Sequence, residues 1–258
     1  MTENKKPFSN VARNGEEVRS IRRWQKIIPP IIGVLILLLV IIYILSLLFN
    51  RYGSFTISVK DYNDRKYSLT LSESETFKRT TTRLNANAAT NITNISGNNL
   101  PTNLNDTDGS HNGENYLAYT FYLKNSGEET CSYRYSLVIS KATVGVDAAA
   151  RVRVYYNADF YKAATNEFNY SGDYVDYAKP KTNGNGLPEV DPYDRVMTNF
   201  ESEDVIVKND VDNFAAGDIA KITVVIWLEG DDPDCVDDIL GGQFKVDMVM
   251  EITGGTEG

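Results

Sequence analysis

The sequence predicts an all-β protein, a jelly-roll-like β-sandwich carried behind a single membrane-spanning helix, and three observations support that expectation. Residues 27–49, IIPPIIGVLILLLVIIYILSLLF, contain no charge. From residue 54 onward, segment after segment alternates apolar and polar side chains with the period of two that marks a strand with one buried face. The chain after the apolar run is rich in Asn, Tyr, Thr and Val and poor in Leu, a composition that favours strands joined by polar loops.

In chain order, residues 1–26 form a basic tail too short and too polar to be a domain, expected to be cytoplasmic. The span 27–49 follows, with Ile31, Leu35, Leu38, Ile42 and Leu47 along it. At ~1.5 Å rise per residue, its proline-free stretch alone gives roughly 28 Å of helix, enough for the hydrocarbon of a bilayer. Pro29 and Pro30 stand at its start, where missing N–H donors cost least. Lys5, Lys6, Arg13, Arg19, Arg22, Arg23 and Lys26 precede the span, whereas only Arg51 closely follows it. That bias places the N-terminus inside and residues 50–258 outside, and makes the bilayer the first expected partner. The apolar run exceeds the ~7–15 residues of a signal peptide, and Phe49-Asn50-Arg51-Tyr52 offers no small-residue cleavage site, so the span reads as an uncleaved anchor.

Charge and cysteine usage narrow the outer domain further. The formal charge is −9; eight of the 26 basic and three of the 35 acidic residues lie within 1–51, which leaves the remainder at about −14. Such a surface excludes nucleic acid as a partner and disfavours docking on anionic lipid. Cys131 and Cys235 both fall after the span, where a disulfide persists. A bond between them is the preferred expectation, and two independent buried thiols are the alternative.

Strands are then read in order. In Ser54–Asp61, Phe55, Ile57 and Val59 share one face; Lys66–Leu71 continues after an Asn63-Asp64 turn, so the two predict a hairpin. That hairpin must join a sheet, either its own domain's, which the short tether favours, or a neighbour's. Residues 84–115 are dominated by Asn, Thr, Ser and Gly and read as a long loop or linker. Tyr116–Lys124 alternates, Asn125-Ser126-Gly127 turns the chain, and Cys131–Ser140 alternates in turn. Arg151–Tyr156 is a strand with Val152 and Val154 inward and Arg151 and Arg153 outward. Asp204–Lys208 follows, then Ile219–Leu228 (IAKITVVIWL), apolar on both faces and so central in its sheet. Gln243–Ile252 is the last strand. Between the final two, Asp232 as N-cap, Pro233 at the first helical position and Gly241 past the end predict a short helix carrying Cys235.

The components of the common catalytic sites are missing. The one histidine, His111, lies in the Asn-rich loop without an HExxH, and neither a G-x-S-x-G elbow, a P-loop nor a dinucleotide fingerprint occurs. Glu189, Asp191 and the carboxylates of 231–238 are the candidates for an acid–base pair, and a solvated acidic surface accounts for them equally. No cofactor is expected. Calcium is the exception worth testing, since Asp231, Asp232, Asp234, Asp237 and Asp238, and separately Asp106-Thr107-Asp108-Gly109-Ser110, supply oxygens without the full twelve-residue spacing. The tyrosines of 155–177 are candidate stacking platforms for a sugar. The expected role is a structural or interaction module rather than an enzyme, with a metal-dependent surface hydrolase and a calcium- or sugar-binding adhesion module as alternatives.

Three stretches, GSHNGENYLAYTFYLKNSGE (109–128), DAAARVRVYYN (147–157) and GDIAKITVVIWLEGDDPDCVDDILGGQFKVDM (217–248), resemble uncharacterised membrane-anchored surface proteins of Firmicute-type bacteria. More distantly, the order of anchor, hairpin and sandwich resembles the camelysin/TasA group of cell-surface and biofilm-matrix proteins. The resemblance spans about residues 54–252, with WLEGDDPDC and ILGG its most specific portion. It implies a jelly roll and, as partners, another cell-surface protein or further copies of the chain joined through a donated N-terminal strand. Camelysins imply a metalloprotease, but the single histidine here matches no metal motif of that kind.

Overall fold

The computed structural model describes residues 28–44, 54–60, 66–180 and 197–255, and the chain divides into two compact units, 1–51 and 52–258. In the first unit, residues 28–44 are helical (α1), with Ile31, Leu35, Leu38 and Ile42 exposed. No helix among the described residues is long and apolar enough to cross a membrane. Leu47 and the rest of the expected span past residue 44 lie outside the described residues.

The second unit is an all-β sandwich of two sheets. Its strands are β1 (Phe55–Val59), β2 (Leu69–Ser72), β3 (Arg83–Asn85), β4 (Gly109–Ser110), β5 (Tyr116–Asn125), β6 (Cys131–Ala142) and β7 (Ala150–Lys162). There follow β8 (Glu167–Phe168), β9 (Tyr174–Ala178), β10 (Thr198–Asn199), β11 (Val205–Phe214), β12 (Ile219–Leu228) and β13 (Phe244–Gly255). A single turn of helix, α2 (Val146–Ala149), joins β6 to β7. The first sheet has the order β11-β6-β13-β1-β3; the second runs β10-β9-β7-β12-β5-β2, with β4 and β8 pairing on β5 and β7.

The alternation read from the sequence fills the space between the sheets. Phe55 and Ile57 meet Tyr119, Phe121 and Leu123 of β5, Tyr133 and Leu137 of β6, and Val246, Met248 and Met250 of β13 in one buried cluster. Each such side chain contributes roughly 1.5–3 kcal/mol on burial. As expected, β12 is central, paired on one side with β5 and on the other with β7. The Asn125-Ser126-Gly127 turn also forms. Here the N–H groups of Ser126 and Gly127 both donate to the Ser68 carbonyl, and a Cβ on Gly127 would stand 2.4 Å from the Lys66 oxygen, so only glycine fits.

The first hairpin does not form. β1 lies between β13, to which it runs parallel, and β3, whereas β2 pairs with β5 in the other sheet. Two short strands bury more apolar surface by each joining a long strand than by joining one another. The neighbour-sheet alternative is thus not needed to bury Phe55, Ile57 and Val59, which are all covered within the chain.

A second correction concerns residues 84–115, which are no linker. Leu84 and Asn85 belong to β3 of the first sheet, and the part from Ile95 onward folds over the outer face of the second, where Leu100 and Leu104 pack with Ala118, Tyr155, Val225 and Trp227 in a separate buried cluster. Two 3-10 turns, Gly97–Asn99 and Leu104–Asp106, shape the cover. The His111 ring ties it together, with Nδ1 2.9 Å from the Gly109 carbonyl and Nε2 2.9 Å from that of Leu104. A further departure concerns Arg151 and Arg153, which stand on the outward face of β7 as expected, yet both are buried, Arg151 against Asp232 and Arg153 against Asp176.

Candidate functional site

The cover stops short of the far side of the second sheet, and the step it leaves is a surface groove of about 200 Å³. Its floor comes from the outward side chains of β7 and β12, Tyr155, Asn157, Phe160 and Lys221; one wall is the turn at Thr102, Asn105 and Asp106; the other is Tyr170-Ser171-Gly172 with Tyr174. Successive outward positions on a strand are two residues apart, which is why Tyr155 and Asn157 appear together.

The walls are fastened by polar contacts. The Asn105 amide donates to the Ser171 carbonyl at 3.0 Å, and its oxygen accepts from the Thr223 hydroxyl at 2.8 Å. The Lys221 ammonium donates to the Asn105 carbonyl at 2.6 Å and lies 5.7 Å from the centre of the Phe160 ring. Asn157 donates to the Asn169 carbonyl at 2.6 Å. The aromatic groups are equally fixed. The Arg153 guanidinium lies 3.8 Å from the Tyr174 ring centroid and is itself held by both oxygens of Asp176, at 2.7 and 2.9 Å. Burial alone would lower the pKa of that guanidinium, but the Asp176 hydrogen bonds and charge raise it overall. Phe160 meets Tyr170 edge-on at 5.4 Å, and Tyr155 lies 5.2 Å from Tyr174. Despite this packing, Tyr170 remains 73% and Tyr174 50% exposed.

The expected disulfide is absent: Cys131 and Cys235 are free thiols. Cys131 begins β6 opposite Gly255, whereas the loop carrying Cys235 leads into Phe244, which stands opposite Ala142 at the other end of β6. A twelve-residue strand separates those ends by roughly 35 Å, far beyond the ~7 Å between Cα atoms that a disulfide tolerates. Burial pushes the Cys131 thiol up to about 11, so it stays protonated and inert. The Cys235 sulfur accepts a hydrogen bond from the Asn94 amide at 3.4 Å.

The acidic clusters serve the fold. Asp232 pairs with Arg151, both buried, and its other oxygen accepts from the Asp234 N–H at 2.8 Å. Asp232 thus makes the capping bond expected of it, but the chain does not continue as a helix from Pro233, and only a 3-10 turn at Asp237–Ile239 forms. Asp231, Asp232, Asp234, Asp237 and Asp238 therefore do not converge as a calcium cage would require; among the described residues no three His, Cys, Asp or Glu groups are placed to hold a metal. The other cluster splits as well, with Asp108 accepting from the Tyr122 hydroxyl at 2.6 Å and Asp106 at the groove rim. Burial and that hydrogen bond raise the Tyr122 phenol well above its ordinary value. Glu189 and Asp191 lie outside the described residues.

Of the groove residues, the sequence singled out only the tyrosines and the Asp106 cluster. One further signal was present, the lone charge of Lys221 inside the apolar central strand. Asn105 and Asn157 carried none, since their roles depend on where the cover folds back. Compared with protein-family models, curated proteins and solved structures, the chain has no match.

Proposed function

We propose that the chain is a membrane-anchored bacterial cell-surface protein, with residues 27–49 as its anchor and a jelly-roll-like domain outside that acts as a structural or interaction module rather than an enzyme. The observation that supports this most is the make-up of the groove. Its lining is dominated by aromatic rings and by amides that hold the walls, with Asp106 and Lys221 as its charged side chains, a surface suited to recognition. The uncharged run and the basic residues before it support the anchor and its orientation. Protease treatment of intact cells tests the reading. Digestion of the domain, with a tag ahead of Met1 surviving, is the expected result; a domain protected until the cells are lysed would overturn it.

A second reading, assembly through a donated strand, draws on the position of β1, the strand nearest the apolar run, between β13 and β3. Light scattering of the full chain in nanodiscs tests it. A monomer at micromolar concentration keeps β1 at home, and concentration-dependent oligomers would move strand donation ahead.

A further inference from the structure

We propose that the groove is a subsite for one uncharged pyranose unit of a longer polysaccharide, which deepens the interaction-module reading and rests on it. A pyranose ring is amphipathic in the same sense as tyrosine, with C–H bonds making an apolar face and hydroxyls a polar rim. Tyr174 is held by the Arg153 guanidinium over its ring and by the Tyr155 ring at 5.2 Å, yet half of it stays exposed in that fixed orientation, open to a ligand. Tyr170, braced edge-on by Phe160, stands on the same wall and is largely exposed. Bulky aromatics held out in water by a buried ion pair and a buried ring are pre-organised, so stacking there costs little conformational entropy. At the rim, Asp106 and Thr102 supply oxygens for sugar hydroxyls.

Charge selects among polymers. Among the described residues, Lys221 is the one cation lining the groove, and one of its N–H donors is spent on the Asn105 carbonyl; Arg153 is paired with Asp176. Asp106 on the rim and Asp173 beside Gly172 add negative charge to a domain already at about −14. A phosphate- or sulfate-bearing chain, nucleic acid included, would meet a net negative surround there, with Lys221 alone to offset it. Size points the same way, because about 200 Å³ is below the ~300–1,000 Å³ that encloses a drug-sized ligand and suits one ring of a chain that runs on across the surface.

The test is calorimetric titration of the full chain in nanodiscs with cellohexaose and chitohexaose as neutral probes and polygalacturonate as an anionic one. Saturable binding of at least one neutral oligosaccharide is expected. Tyr174→Ala should weaken it about tenfold and Tyr170→Ala by a similar factor, with unchanged melting for Tyr170→Ala, whose ring is mostly in water. Asp238→Ala, in the loop after β12, should bind as the parent does. Failure of both neutral probes, tighter binding of the polyanion, or full affinity in both tyrosine variants would overturn the proposal. The outcomes separate it from the broader reading: a domain exposed on cells that binds no neutral sugar sinks the subsite alone, and a domain hidden from protease sinks surface display whatever it binds.

Discussion

The two faces of the second sheet are covered by different means. Its inner face is sealed by the first sheet, apolar side chain against apolar side chain, in a cluster that runs through nearly every long strand. Its outer face is covered by a segment built mainly of Asn, Thr, Ser and Gly, which contributes little more than Leu100, Leu104 and Ile95 to an apolar patch and fastens the rest through individual hydrogen bonds. Burial on the inside is non-directional and tolerates exchange of similar residues, whereas the cover depends on particular donors meeting particular carbonyls. Where the cover ends, the groove begins.

The comparison can be broken most severely from the inside. Phe121→Ala removes a fully buried ring between the sheets and should destabilise the domain by about 3–5 kcal/mol, seen as a large fall in the denaturant midpoint with one cooperative transition. On the outer face, Asp176→Ala strands the buried Arg153 guanidinium and should cost about 3 kcal/mol, again by chemical denaturation. The same change should also loosen Tyr174, so the groove suffers beyond what stability alone explains. His111→Ala, which removes the ring from between the Gly109 and Leu104 carbonyls, should cost only about 1–2 kcal/mol globally. Its sharper signature is faster hydrogen exchange across residues 97–111 while β5 and β12 stay protected; uniform acceleration would mean that cover and sandwich are one unit. The smallest effect concerns the thiols. In the native protein at pH 8, an alkylating reagent should label Cys235, which is partly exposed, and spare Cys131 until denaturant is added. Two unreactive cysteines released together by reductant would restore the disulfide.

What was legible in the sequence follows the same division. The strands of the inner core could be read because Phe55, Ile57 and Val59, or Tyr133, Tyr135 and Leu137, repeat with the period of the pleat, and the period is a local property. Central placement of β12 could be read because Ile222 and Val224 on one face are matched by Val225 and Trp227 on the other. The cover could not, since its few apolar residues have no period, and its anchoring contacts join positions such as Asn105 and Lys221 that lie 116 residues apart. Strand partners were hidden for a related reason. Nothing local in Phe55–Val59 says that its best neighbour is Val246–Met250 near the other end of the chain rather than the strand that follows. The cysteines were misjudged because compartment and loop shape bear on whether a bond would persist, whereas the length of β6 decides whether the sulfurs can meet.

The parallel pairing of β1 with β13 also has a mechanical meaning. β1 enters the sandwich at Phe55, level with Val246, and β13 finishes at Gly255, level with Cys131 at the opposite end. A load that enters through Ser54 and leaves through Gly255 therefore drags neighbouring strands in opposite directions along their length. The bonds of Ser54 and Met250 that bracket the pair, from Val246 N–H at 3.0 Å and Lys60 N–H at 2.9 Å, are then strained together in shear, where a hairpin pulled from its open end would lose its bonds in succession. Rupture under force is governed by the rate of that first separation. A domain tethered by its first strand and pulled from its last is clamped at the seam between them.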